Sequence, residues 1–233
     1  MKRTIAGLMK NLVFLNGSVA DPKSIGPQII AHICNDFGIW TGRNAQEIAR
    51  AWPGARSAFE AWYRNRSHND FGLGSVQFVN VNKTHVNRVV RVANMVGQRG
   101  TRHKMGARPI RYKVLAQCLS RVAERAKRMH ASVHLPQLGL NGSDLIWPMI
   151  LDIIKDSVGR FKVPIYIYIH PVDTTDEMFA RVMNPPRPKR FELVDLQRKD
   201  CVYFRNIQWR KTDRGDEQSD DEQSGDDQSR EQA

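Results

Sequence analysis

Short apolar runs alternate along the chain with amphipathic segments of helical period, and this alternation predicts strands interspersed with helices. The run at residues 29–34 is almost wholly apolar, which is typical of a strand buried on both faces. The order of elements predicts an α/β fold with a mostly parallel sheet covered by helices on both faces. The predicted strands are residues 11–15, 29–34, 75–81, 88–93, 131–135 and 163–169. The predicted helices are residues 42–52, 54–66, 109–129 and 145–158.

The pattern weakens after residue 170, and this change divides the chain into three predicted segments. Residues 1–170 form one domain. Residues 171–211 form an extension, with a helix at 173–183 and a stiff, basic, proline-rich linker at 185–190. Residues 212–233 lack the apolar side chains that a core needs, and we expect them to be a disordered acidic tail.

Charge is spread unevenly over these segments. The whole chain carries a formal charge of +12, and the acidic tail carries −7, which leaves +19 for residues 1–211. A body this basic can attract RNA or DNA through their phosphates. The alternative is a solvated basic surface that the acidic tail partly neutralises.

Cysteine usage and hydropathy indicate the compartment. The three cysteines (Cys34, Cys118 and Cys201) are scattered and lack the spacing of a metal site or a disulfide framework, so we predict no disulfide framework, no zinc site and a reducing compartment. We also expect no other metal and no cofactor. No apolar run reaches the length of about 18 residues that a membrane span requires. The basic first ten residues are too interrupted for a secretory signal. We expect an intracellular, cytoplasmic protein without membrane contact, and a nuclear location stays open.

Parallel sheets bind ligands outside the carboxyl ends of their strands, and three predicted loops meet there. The first, 35–43, places Asn35 and Asp36 directly after a buried strand, where an amide and a carboxylate suit recognition of ribose hydroxyls and Asp36 can orient a water. The alternative is a turn in which both side chains satisfy the backbone. The second, 94–108, mixes glycines with cations and suits a phosphate clamp, or is simply an exposed basic loop.

The third loop, 137–144, separates a buried strand from a helix. Its glycines would present backbone N–H groups at the helix N-terminus, which favours an anion. The alternative for Ser143 and Asp144 is capping of that helix. The ligand-binding candidates of the three loops are Asn35, Gly38, Gly42, Arg43, Asn94, Gly97, Gln98, Gly139, Leu140, Asn141, Gly142 and Ser143. The catalytic candidates are Asp36 and Asp144.

Four segments taken in order resemble the macro domain family, and in particular its members near ADP-ribose 1''-phosphate phosphatases. They are residues 26–38, 71–79, 92–100 with 109–112, and 132–139 reaching Trp147. The resemblance runs from about residue 12 to residue 169. It implies a three-layer α/β/α fold with a mostly parallel mixed sheet and an ADP-ribose ligand. In the implied pose, Asn35 and Asp36 face the distal ribose, the loops after Trp40 and Gly139 line the diphosphate, and the second loop closes over the ligand.

The chain departs from the family pattern at several ligand positions. Gly17-Ser18 replaces the Gly-Asp whose carboxylate binds the adenine amine, and Asp21 lies three residues later. Thr41-Gly42-Arg43-Asn44 replaces a Gly-x-Gly-Phe, although Arg43 supplies charge. In the last loop, Gly142 is shifted by one position.

Two further departures concern catalysis. Met95 stands where some relatives carry a catalytic lysine, and Ser143, beside Asp144, stands where those relatives carry an aspartate. These substitutions argue against lysine-adduct chemistry.

Three functions remain open from the sequence. One is hydrolysis of ADP-ribose 1''-phosphate or of ADP-ribosylated acceptors, with Asp36 or Asp144 orienting a water. The second is non-catalytic binding of ADP-ribose, a related nucleotide or RNA. The third is a protein-interaction module on a degenerate macro fold. The predicted partner is therefore an ADP-ribose-type small molecule or an ADP-ribosylated macromolecule.

Overall fold

The computed structural model describes residues 2–4, 11–81, 89–101, 110–138 and 147–170. Four predictions lie wholly or mostly outside these residues: the helix at 173–183, the linker at 185–190, the acidic tail, and the third loop, which is described only to residue 138. The second loop is described only to residue 101. No helix in the described ranges is long and apolar enough to cross a membrane.

The described residues form one seven-stranded sheet with the strand order β1-β2-β7-β6-β3-β5-β4. The central strands β2, β7, β6, β3 and β5 run parallel, and β1 and β4 are antiparallel at the two margins. The strands are β1 (Lys2–Thr4), β2 (Leu12–Asn16), β3 (Gln28–Asn35), β4 (Val76–Asn80), β5 (Val90–Gln98), β6 (Ser132–Pro136) and β7 (Ile165–Ile169). The helices are α1 (Arg43–Ala51), α2 (Pro53–Arg64), α3 (Tyr112–Met129) and α4 (Trp147–Ser157).

Helices cover both faces of this sheet, which confirms the three-layer α/β/α prediction. One core lies between the sheet and helices α3 and α4, and the other lies on the side of α1 and α2. Strand β3 contributes to both, because Ile29 and Ala31 belong to the first core and Ile30 and Cys34 to the second. The predicted two-sided burial of this strand is confirmed.

The break between α1 and α2 follows from Pro53. Proline has no N–H to donate and disfavours helical backbone at the residue before it. Trp52 accordingly adopts φ −140° and ψ 80°, and Pro53 begins the second helix. Its inner face carries Phe59 and Trp62, which contact Phe71 with ring centroids 5.9 and 4.8 Å away. These three rings form an aromatic cluster within the core on the side of α1 and α2.

Strand β5 extends further than the sequence pattern predicted. The predicted strand ended at residue 93, with Asn94, Gly97 and Gln98 in a loop, but β5 continues to Gln98. Asn94 is fully buried, and hydrogen bonds to other side chains satisfy its carboxamide. A hydrophobic pattern does not predict a buried polar residue within a strand. The prediction that these residues lie in the loop was therefore wrong.

Helix α3 begins later than predicted. Ile110 forms an isolated antiparallel bridge with Gln98, and the helix starts at Tyr112 rather than at residue 109. The bridge brings the far end of the second loop back to β5. Strand β1 was not predicted, since its three residues are all polar.

Candidate functional site

Asn35, the last residue of β3, determines the shape of the first loop. Its Oδ1 accepts hydrogen bonds from the backbone N–H groups of Phe37 (3.0 Å) and Ile39 (3.1 Å). Its Nδ2 donates to the carbonyl oxygen of Ile39 (2.6 Å). An asparagine that binds the backbone shortly after itself closes a turn. Asn35 itself is buried. The loop that it holds forms the rim of the sheet at this point.

Asp36 joins the first loop to the second. Its backbone N–H donates to the carbonyl oxygen of Gln98 (3.0 Å), and its Oδ1 accepts from the backbone N–H of Gly100 (2.7 Å). Arg99 Nε lies 3.8 Å from Oδ2, and the Asp36 side chain is 19% exposed whereas that of Arg99 is 65% exposed. The two predicted loops therefore meet at one carboxylate with a cation beside it.

Gly38 allows the close contact that holds the first loop against α2. Its φ is +69°, which an L side chain rarely adopts, and a Cβ here would lie 2.1 Å from Tyr63 Cγ. Gly42 also has a positive φ, +93°, but a Cβ there would meet no atom within 4 Å. Gly42 is the N-cap of α1, and Arg43 is the first residue of that helix and is exposed.

These two glycines make a matched test of the loop. Gly38→Ala combines backbone strain with a collision, and we expect it to lower the free energy of unfolding by about 3 kcal/mol. Gly42→Ala introduces strain alone, at φ 93° and ψ 153°, and we expect a loss of about 1 kcal/mol. Urea denaturation of the two variants and the wild type measures the difference. Equal losses would show that Tyr63 does not restrain Gly38.

Asn94 lies inside the protein rather than on the rim. Its Oδ1 accepts from His32 Nε2 (2.7 Å), and its Nδ2 donates to Gln77 Oε1 (2.9 Å). His32 packs edge-on against Trp40 with ring centroids 5.0 Å apart. Burial lowers the pKa of His32 to about 4, although the hydrogen bond to Asn94 raises it. The imidazole is therefore neutral at pH 7, and it packs against the first loop through Trp40. The sequence did not reveal this pair, because its members lie 62 residues apart.

The other second-loop candidates lie near Asp36 and α3. Gln98 Nε2 donates to the carbonyl oxygen of Gly100 (2.8 Å), so it stabilises the turn that Asp36 also contacts. Gly97 lies under α3, where an added Cβ would be 3.6 Å from an Ile33 methyl carbon. Met95 is fully buried in the core on the α3 side.

The third-loop candidates Gly139, Leu140, Asn141, Gly142, Ser143 and Asp144 lie outside the described residues. The elements on either side fix where this loop leaves the sheet. Strand β6 ends at Pro136 between β3 and β7, and the backbone N–H of Gln137 donates to the carbonyl oxygen of Tyr168 (2.9 Å). The predicted phosphate loop therefore starts at the middle of the carboxyl edge.

A second polar cluster at this edge was not predicted from the sequence. Ser18 follows β2, His170 follows β7, and Glu47 reaches both from α1. Ser18 Oγ donates to Glu47 Oε2 (2.5 Å), and His170 Nε2 lies 3.0 Å from Glu47 Oε1. Asp21, the acid nearest to Ser18 in sequence, instead pairs with Lys23 and is largely exposed. No periodic pattern signals Glu47, because its neighbours are brought together only by the sheet order.

Thiol and metal chemistry find little support in the described part of the chain. Cys34 and Cys118 are free and buried. Burial raises the pKa of Cys34 well above its usual range and that of Cys118 to about 12. Such thiols stay protonated near neutral pH and are poor nucleophiles. No group of three or more His, Cys, Asp or Glu side chains in the described ranges is arranged to hold a metal ion.

Comparison with solved structures identifies relatives, although the sequence matches no family model and no curated protein. A macrodomain protein from Streptomyces coelicolor is 39% identical, with a TM-score of 0.59, over 68% of this chain and 99% of that one. A protein of unknown function from Bacteroides thetaiotaomicron is 34% identical, with a TM-score of 0.60, over 69% of this chain and 98% of that one. This chain therefore belongs to the macro domain family.

A more distant structure shares the fold. DarTG from Thermosipho africanus, solved in complex with ADP-ribose, is 14% identical with a TM-score of 0.55, over 78% of this chain and 46% of that one. At this identity the likeness concerns the fold alone.

Proposed function

We propose that this chain binds ADP-ribose along the carboxyl edge of its sheet. The observation that carries the proposal is the rim formed by Asn35 and Asp36, which joins the ends of β3 and β5 into one hydrogen-bonded unit. Macro-domain membership supports the ligand, and a protein of the same fold was solved with ADP-ribose. The distal ribose would lie at this rim, since a carboxylate accepts hydrogen bonds from sugar hydroxyls.

The second candidate is hydrolysis of ADP-ribose 1''-phosphate or of an ADP-ribosylated acceptor. One observation favours it: the partly exposed Asp36 carboxylate lies beside the exposed Arg99 guanidinium. A cation at this position would attract a phosphate on the distal ribose, and Asp36 would orient the attacking water. Because Asp36 also holds Gly100, its first role is structural.

Calorimetric titration tests the binding proposal. We expect ADP-ribose to bind at least about 10-fold more tightly than ADP, because ADP lacks the distal ribose that would contact the rim. Titration with a short RNA at increasing salt concentration tests whether the basic surface binds nucleic acid, since affinity that depends on phosphate contacts falls steeply with salt. No heat or spectroscopic change with ADP-ribose would overturn the proposal.

Release of phosphate from ADP-ribose 1''-phosphate tests the second candidate. Asp36→Asn keeps an oxygen for the Gly100 N–H but removes the charge. If the wild type releases phosphate, and this variant still binds ADP-ribose but releases no phosphate, Asp36 takes part in the hydrolysis. Binding without release by either protein leaves the chain as a reader of ADP-ribose.

A further inference from the structure

We infer that Arg91 and Arg125, at the β4 margin of the sheet, form a binding site for the phosphate groups of a nucleic acid. The inference is independent of the proposed function, because Arg91 is the second residue of β5 and so lies near the amino end of that strand. The carboxyl end is at Gln98, whose carbonyl oxygen accepts a hydrogen bond from the N–H of Asp36. Seven residues of extended strand, or about 23 Å, separate the two places.

Two partly buried guanidinium groups lie close together on the α3 face of this margin. Arg91 lies on β5 opposite Asn80 of β4, and Arg125 comes from α3. The guanidinium carbon of Arg125 is 5.8 Å from the centroid of the Phe78 ring, which belongs to β4. Burial lowers the pKa of Arg91, and the positive charge of Arg125 lowers it further. Two like charges are therefore held together where water is partly excluded.

Neither arginine has an acidic partner in the described part of the chain. Arg91 Nη1 donates to Met129 Sδ (3.1 Å), which is a weak acceptor, and Arg91 Nε is buried without a hydrogen bond. The guanidinium of Arg125 makes no hydrogen bond or ion pair with any described residue, and its Nε is buried as well. Charges that are withdrawn from water are normally paired, because their desolvation is costly. An anion from outside the chain would supply the compensating charge and accept hydrogen bonds from the terminal nitrogens.

The neighbouring cations of α3 favour a polyanion over a single small anion. Arg121, Arg125 and Arg128 are four and three residues apart, so they lie on one face of the helix and span about 10 Å of its axis. A strand of nucleic acid advances about 3.4 Å per phosphate, so about three phosphates fit this length. Arg121 and Arg128 are exposed, and neither forms an ion pair with a described residue. The helix carries one acid, Glu124, against five basic residues. A regularly charged phosphate backbone therefore fits this row of arginines.

Binding of a fluorescent single-stranded RNA at several salt concentrations tests the site. The change is Arg91→Gln together with Arg125→Gln, in the full chain. The plot of log affinity against log salt concentration should become shallower by about 1.4, since each phosphate contact on a single strand contributes about 0.7 to its slope. Extrapolated from 1 M salt, this slope gives about 25-fold weaker binding of the variant at 0.1 M salt. Fluorescence anisotropy measures both quantities.

Arg64→Gln together with Arg66→Gln is the matched control. This pair removes the same charge, and Arg66 also lies over an aromatic ring, with its guanidinium carbon 4.5 Å from the centroid of Tyr63. Both side chains are exposed. The general loss of positive charge is equal in the two variants, so the control should bind RNA within about 3-fold of the wild type. Urea denaturation checks folding of the Arg91 and Arg125 variant, whose stability should not fall, because two neighbouring like charges are removed.

Several outcomes would overturn the inference. One is the absence of RNA binding by the wild type, and another is an equal salt slope for the wild type and the variant. Displacement of bound RNA by saturating ADP-ribose would place the RNA at the carboxyl edge instead. A glutamate peptide of the same charge that binds as tightly as the RNA would identify the ligand as an acidic protein segment. RNA binding through these arginines in a chain that does not bind ADP-ribose would support the inference and contradict only the proposed function.

Discussion

Asn35→Ala should lower the affinity for ADP-ribose by about 100-fold or more, because three hydrogen bonds of about 1 kcal/mol each hold the first loop. The substitution leaves the N–H groups of Phe37 and Ile39, and the carbonyl oxygen of Ile39, without their partner. The turn would then open, and Asp36 would no longer be held opposite Gly100. Calorimetry measures the loss, and circular dichroism checks that the domain remains folded.

Asn11→Ala is the matched control for this prediction. Asn11 also holds a backbone carbonyl, that of Val163 (2.8 Å), but it precedes β2 and so lies at the opposite edge of the sheet. We expect a loss of stability of about 1 kcal/mol and an unchanged affinity. Equal affinities of Asn35→Ala and the wild type would contradict the assignment of this loop to the site.

Acid should destabilise the domain through His32. The pKa of His32 is about 4 in the folded chain, against 6.5 when exposed, because burial disfavours the charged form. Between these values the unfolded chain binds a proton that the folded chain does not. The free energy of unfolding should therefore fall as the pH drops from 6.5 to 4, by about 3 kcal/mol from this residue, and His32 should add no pH dependence above that window.

Urea denaturation at pH 7 and pH 4.5 measures this dependence. His32→Gln should reduce the difference in stability between the two pH values, since glutamine does not titrate. His68→Gln, at an exposed histidine, is the matched control for the loss of an imidazole. An unchanged difference in His32→Gln would mean that the imidazole is not kept neutral by its surroundings.

Much of the fold could be predicted because local patterns decide it. The apolar run that becomes β3 has no solution except burial on both faces, and Pro53 must end one helix and begin another. The end of β5 could not be predicted in this way. Asn94 is tolerated inside a strand only because His32 and Gln77 satisfy its carboxamide, and those contacts depend on strand pairing.

In the candidate site, too, some residues could be predicted from the sequence and others could not. Asn35 and Asp36 could be selected from sequence, because they directly follow a buried strand and the carboxyl ends of parallel strands meet. Glu47 could not, since its importance comes from the adjacency of β2 and β7, which lie far apart in the chain. Residues at strand ends are therefore more accessible to sequence reasoning than residues that reach the edge from a helix.

The turn closed by Asn35 has a consequence for the entropy of binding. The backbone from Asn35 to Ile39 is already fixed by three hydrogen bonds without a ligand. Fixing the backbone costs roughly 1–2 kcal/mol per residue, and here that cost is met when the domain folds. A ligand that binds at this rim does not have to order the backbone of the loop. Less conformational entropy is then lost on binding, so more of the contact energy appears as affinity.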